Sequence, residues 1–148
     1  MRITAWAILL FCFLGSSCDD DKNGRPYIII KTGKACGWCG GADSLVVTSI
    51  KSIYQFTDGC DETKNKQKWE ETAREEWTAL VSSLNWNEFE DVHVNTCALC
   101  ADGCDTWISI QNGLQTHEIR FTDNSPEIEP IRTFVERLKV LHEKFRQN

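Results

Sequence analysis

Six cysteines in the body of the chain define the most specific chemistry its side chains could perform. Cys36-Gly37-Trp38-Cys39 and Cys97-Ala98-Leu99-Cys100 are both C-x-x-C pairs, Cys60 lies between them, and Cys104 follows the second. Three chemistries use such spacing. In the first, Cys36, Cys39, Cys60, Cys97, Cys100 and Cys104 form three disulfides, the usual framework of a small exported domain. Each bridge would stabilise the fold by about 2–4 kcal/mol. Six cysteines can pair in many ways. Because a bridge inside a C-x-x-C closes a tight ring, the expected links run between the two pairs, with Cys60 joined to Cys104. In the second, Cys36, Cys39, Cys97 and Cys100 hold zinc as a tetrahedral thiolate site. The long stretch between the pairs and an oxidising compartment weigh against it, so no cofactor is expected. In the third, Cys36 and Cys39 are a thiol–disulfide redox pair. That chemistry wants the first cysteine at a helix N-terminus, where the dipole lowers its pKa; here Gly40-Gly41 and a strand pattern follow instead.

No other residue cluster carries a recognisable reaction. The histidines His93, His117 and His142 stand beside no nucleophile, and no G-x-S-x-G, H-E-x-x-H or phosphate-cradling glycine loop occurs. No catalytic residue is assigned, and the balance is against an enzyme. The six tryptophans say more. Trp69 and Trp77 fit the buried stripe of a helix, whereas Trp38, Trp107 and Trp86 are harder to bury. Exposed aromatics beside a rigid, disulfide-tied loop suit binding of a protein or a glycan. Trp38 and Trp107 are therefore the candidate binding residues.

These residues need elements to position them. Tyr27-Ile28-Ile29-Ile30 reads as a strand within Pro26 to Lys31, and Thr32 to Gly41 as a loop carrying the first cysteine pair. Ser44 to Ile50 and Ser52 to Thr57 read as two further strands, with Asp58 to Lys66 a loop. Trp69, Ala73, Trp77, Leu80, Val81 and Leu84 recur at helical spacing, with a break at Asn85. Asp105 to Gln111 and Leu114 to Phe121 flank Asn112-Gly113, which suits a two-residue type I′ turn. That turn would pair Gln111 with Leu114 and Ile108 with His117. Ile108, Ile110, Ile119 and Phe121 then share one face and Trp107, Glu118 and Arg120 the other. Pro130 opens a closing amphipathic helix through Ile131, Phe134, Val135, Leu138, Leu141 and Phe145. Strand-strand-strand-helix-hairpin-helix is the order of an α+β fold, an antiparallel sheet with two main helices packed on one face, stapled by disulfides.

The N-terminus supplies a location. Met1-Arg2 is a short basic start, and Ile3 to Leu14 is uncharged but far below the ~20 residues that span a bilayer. It reads as a secretory signal over residues 1–17. Gly15-Ser16-Ser17-Cys18 resembles a lipobox, at which a bacterial lipoprotein is lipidated on cysteine and cut before it; the pattern's preferred aliphatic residue sits one step early, at Leu14. Lipidation of Cys18 also removes the odd thiol, since Cys12 leaves with the signal and six cysteines can pair among themselves. Asp19-Asp20-Asp21 opens an acidic tether over residues 18–25. Its position after Cys18 resembles the export signal that sends lipoproteins of Bacteroidota-type bacteria to the outer membrane. The expected organisation is thus signal, tether, and a single domain over residues 26–148. On this reading the precursor is expected to follow the general secretory pathway, and the mature protein to be anchored to the outer membrane by lipid, with its outer, surface-exposed face as one destination of that signal. With 16 Lys and Arg against 22 Asp and Glu, the formal charge is −6, which repels phosphate backbones and excludes nucleic acid as a partner.

The run Cys97-Ala98-Leu99-Cys100-Ala101-Asp102-Gly103, followed by Trp107-Ile108, the hairpin and the closing helix, resembles small uncharacterised disulfide-containing lipoproteins of Bacteroidota-type bacteria. That resemblance brings no activity with it. The lack of a catalytic constellation, the aromatics Trp38 and Trp107 and the expected anchor together point to a non-enzymatic binding or accessory module at the cell envelope, with an envelope or secreted protein, or a glycan, as partner. A looser similarity of layout, in the hairpin and final helix, is to emfourin-type metalloprotease inhibitors, which implies a protease inhibitor.

Overall fold

Alternating burial organises the chain into strands from its first described residues. The computed structural model describes residues 27–147, so the expected signal, the lipidated Cys18 and the acidic tether lie outside them. In β1 (Ile28–Cys36) Ile30 and Thr32 are buried while Lys31 between them is exposed. β2 (Ala42–Val47), β3 (Lys51–Thr57), β4 (Lys66–Glu71), β5 (Cys104–Asn112) and β6 (Gln115–Phe121) complete one six-stranded sheet, antiparallel throughout, in the order β4-β3-β2-β1-β5-β6.

One face of this sheet carries the core, as antiparallel sheets commonly do. Ile30, Leu45, Val47, Tyr54, Ile108, Ile110, Ile119 and Phe121 point to it and are buried. Against them lie α1 (Arg74–Ser82), α2 (Trp86–Asp91) and α3 (Arg132–Gln147). The helix α3 supplies Phe134, Val135, Leu138, Leu141 and Phe145 at helical spacing, all buried. Full burial of each such side chain is worth about 1.5–3 kcal/mol. Asn85 caps α2 by accepting from the Glu88 N–H, which makes it the break between the first two helices. The α+β class with helices on one sheet face is as expected. No helix among the described residues is long and apolar enough to cross a membrane.

Three local expectations are corrected. The stretch from Thr32 is not a loop: β1 continues to Cys36, because both neighbours, β2 and β5, offer it hydrogen-bonding edges. The first helix begins only at Arg74, and Trp69 belongs to β4, where it faces Ile53 and is 66% exposed. The charges of Lys66, Lys68, Glu70 and Glu71 look like a helix's wet side, but here they line a free sheet edge and discourage a further strand from adding to it. The hairpin register is shifted by one pair at each strand: Asn112 faces Gln115 and Ile108 faces Ile119. Its two central residues are Gly113, at φ 62°, and Leu114. Positive φ at the first position alone is the pattern of a type II′ turn, not I′. The shift is one residue on each strand and two between them, an even step, so the buried and open faces stay as expected.

Candidate functional site

At one end of the sheet three loops meet, and glycines let their backbones touch. β1 ends at Cys36, and Gly37 to Gly41 turn back into β2. Within this tip the Cys36 N–H donates to Gly41 O at 3.0 Å and the Gly40 N–H to Gly37 O at 3.0 Å. The Gly37 N–H donates across to Gly103 O at 2.9 Å, tying the tip to the loop that precedes β5. A Cβ on Gly37 would stand 2.8 Å from Asp102 Cα, and one on Gly41 would stand 2.6 Å from Thr57 O. Gly41 also adopts φ 72°, a conformation that costs other residues more.

Disulfides lock this end, though not in the expected pairing. Cys36 is bonded to Cys104, its direct partner across β1 and β5. Cys39 is bonded to Cys60 in the loop after β3, and Cys97 to Cys100 within its own C-x-x-C. The links between the two C-x-x-C segments and between Cys60 and Cys104 are therefore corrected. The sheet register places Cys36 opposite Cys104, and the short helical turn Ala98–Ala101 folds Cys100 back onto Cys97. Cys36 and Cys39 do not pair with each other. The four cysteines considered for zinc all sit in disulfides, so none is a thiolate, and no cluster of metal-ligating residues occurs among the described residues.

Two carboxylates shape the neighbouring loops. Asp105 is fully buried, and its carboxylate accepts from Thr96 Oγ1 at 2.6 Å and from the N–H groups of Ala98 and Leu99, each at 3.0 Å. Burial alone would push its pKa up, but these hydrogen bonds and the charge of Arg120 win and hold it below the ordinary carboxylate range. Asp58 does the same for the Cys60 loop, accepting from the N–H groups of Cys60 and Asp61 at 2.9 and 2.8 Å.

On this frame stands Trp38. Its side chain is 87% exposed, and its backbone is left-handed at φ 53°. Among the described residues only Trp38 and Asp102 combine positive φ with a side chain, and both belong to this end. Aspartate tolerates that region; a bulky aromatic there is an outlier. The conformation persists because the half-cystines at 36 and 39 hold the tip from both sides.

Trp107 is placed differently. It lies on the sheet's open face, half-buried over Gly33 and opposite Arg120. Gly33 is three residues from Cys36 along β1, about 10 Å at strand rise. No ring contact among the described residues joins Trp38 to Trp107. The structure therefore separates the two candidate binding residues. Trp86 meets the ring of Phe89, and Trp77 packs partly buried against the core. His117 has its Nε2 2.8 Å from Val92 O, and His142 is largely buried, its Nε2 lying 3.3 Å from Asp43 Oδ1. No model of a known protein family matches the chain, and no curated protein sequence matches it.

Proposed function

We propose that this chain is the precursor of an exported bacterial lipoprotein, anchored to the outer membrane through Cys18, that serves as a non-enzymatic binding module. Its contact point is Trp38, and its partner is a protein of the envelope or of the secreted pool. One observation carries this reading: an indole 87% exposed, in a strained backbone conformation, between two half-cystines bonded to different elements. Water-exposed aromatic surface and backbone strain both cost free energy, and strain that the surrounding structure over-determines is a mark of function. A rigid indole loses little entropy on docking, which is what makes tryptophan a frequent binding hot spot. A single protruding ring suits insertion into a pocket of a protein; a glycan would be better served by a row of rings, and Trp107 is not in that row.

The anchor is tested by acyl-chain labelling in cells, which Cys18→Ala should abolish along with membrane retention. The contact is tested by placing a photo-crosslinking aromatic residue, which keeps a ring in the contact, at position 38 in living cells, with position 69, also exposed, as the control. A discrete protein adduct from position 38 alone supports the reading. No adduct, or the same adducts from both positions, removes it. Binding to glycans that Trp38→Ala abolishes would transfer the site to the other class of partner. The rigid tip also fits an inhibitory loop of the emfourin-like reading; inhibition of a secreted metalloprotease, lost in Trp38→Ala, would select that form of the same contact.

A further inference from the structure

Beside the last described turn of α3 the core face opens into a cavity of about 690 Å³. That is within the usual size for a small-molecule site. The sheet register explains what lines it. Lys34, Asp43, Phe56 and Lys66 face one another across β1, β2, β3 and β4, and Tyr54 faces Lys68 on the next rung. Lys66 and Lys68 are two apart on β4, so both point to the helix side. Arg146, from the last turn of α3, completes the wall.

Four cations thus surround this cavity in a chain whose net charge is −6. Arg146 is paired with Glu143 at 2.9 Å. Lys34, Lys66 and Lys68 take part in no salt bridge among the described residues. Lys68 is instead held over the rings of Tyr54 and Phe145, with Nζ 5.3 and 5.8 Å from their centroids. The one carboxylate in the wall, Asp43, is already engaged. Its Oδ1 accepts from the Lys34 N–H at 2.9 Å and lies 3.3 Å from His142 Nε2; its Oδ2 lies 3.5 Å from the Tyr54 hydroxyl. The C-terminal end of α3 brings a partial negative charge to the same place. Three unpaired ammonium groups outweigh these two terms.

We propose that this cavity binds a small ligand carrying at least two oxyanion charges, as phosphate or carboxylate. Like charges converging on a low-dielectric wall repel one another and focus a positive potential into the opening. A polyanion removes that repulsion and gains charge-assisted hydrogen bonds from Lys34, Lys66 and Lys68. Tyr54 and Phe56 offer apolar surface to the body of the ligand. This site is separate from the Trp38 contact, although Cys36, Gly40 and Gly41 of the tip form part of its wall.

The test is an NMR titration of the full-length protein in neutral detergent with pyrophosphate and, separately, citrate. Sodium chloride at matched ionic strength is the control. The proposal expects saturable shifts confined to the amides of Lys34, Asp43, Tyr54, Lys66 and Lys68, with at least tenfold weaker binding in Lys66→Gln/Lys68→Gln. Both lysines lie on the edge strand, so an unchanged melting temperature checks that this variant is folded. Response to pyrophosphate alone identifies phosphate as the ligand group, and response to citrate alone identifies carboxylate. Shifts that merely follow ionic strength, or equal affinity in the double variant, overturn the proposal.

Discussion

The indole of Trp107 lies so close over Gly33 that a Cβ there would stand 2.7 Å from two of its ring carbons, and 2.2 Å from Asp43 O on the neighbouring strand. One small residue in the middle of β1 thus seats an aromatic on the open face and lets β2 approach. Gly33→Ala should destabilise the fold by about 1–3 kcal/mol through overpacking. Thermal unfolding measures this, and Gly33→Ala combined with Trp107→Ala should recover only part of the loss, because the backbone oxygen remains.

The Asp105 carboxylate holds the loop that carries Cys97 and Cys100. Asp105→Ala leaves the Ala98 and Leu99 N–H groups and the Thr96 hydroxyl without their acceptor, a loss of about 2–4 kcal/mol. Its folded pKa is lowered from 3.8. Its contribution is therefore fully present above 3.8 and is lost as pH falls through the lower folded value. Denaturant midpoints measured downward from pH 5 should drop more steeply in the wild type than in Asp105→Asn, which has no such charge to lose.

His142 should act at milder pH. Burial lowers its pKa from 6.5 despite the opposing pull of Asp43. The unfolded chain takes up a proton that the folded chain resists, so stability falls as pH drops below 6.5 toward the lowered folded value. His142→Gln should flatten the stability profile over that window. A profile as steep in the variant as in the wild type would assign the loss to other groups.

Much of this architecture was legible in residue pattern. β-Branched and aromatic runs marked β2 and β3, the Asn112-Gly113 turn and its alternating faces marked β5 and β6, and the spacing of Phe134, Leu138 and Leu141 marked the last helix, whose apolar face meets the core. β4 was not legible, since an edge strand covered with Lys and Glu has no buried face to reveal it. The end of β1 was hidden by glycines that read as a turn but serve close packing. Trp38 was found from its neighbours in a C-x-x-C. The cavity was not, because Lys34 and Lys66 are distant in sequence and meet only through the register of four strands.

The disulfides should separate into roles. Cys36–Cys104 and Cys39–Cys60 close long loops, with sequence separations of 68 and 21, whereas Cys97 and Cys100 are 3 apart. Loop entropy makes the first two worth about 3–4.5 kcal/mol each and the last much less. Unfolding midpoints of Cys36→Ser/Cys104→Ser and Cys97→Ser/Cys100→Ser should differ in that order. Equal losses would show that local packing, not chain restriction, governs both.

Trp38 decides the functional account. With the partner captured by crosslinking at position 38, its dissociation constant should be measured for the wild type, Trp38→Ala and Cys39→Ser/Cys60→Ser. The account predicts a loss of at least 2 kcal/mol for Trp38→Ala, roughly thirtyfold in affinity, at an unchanged melting temperature. A smaller loss is expected when the tip is unlocked. Wild-type affinity in Trp38→Ala would contradict it.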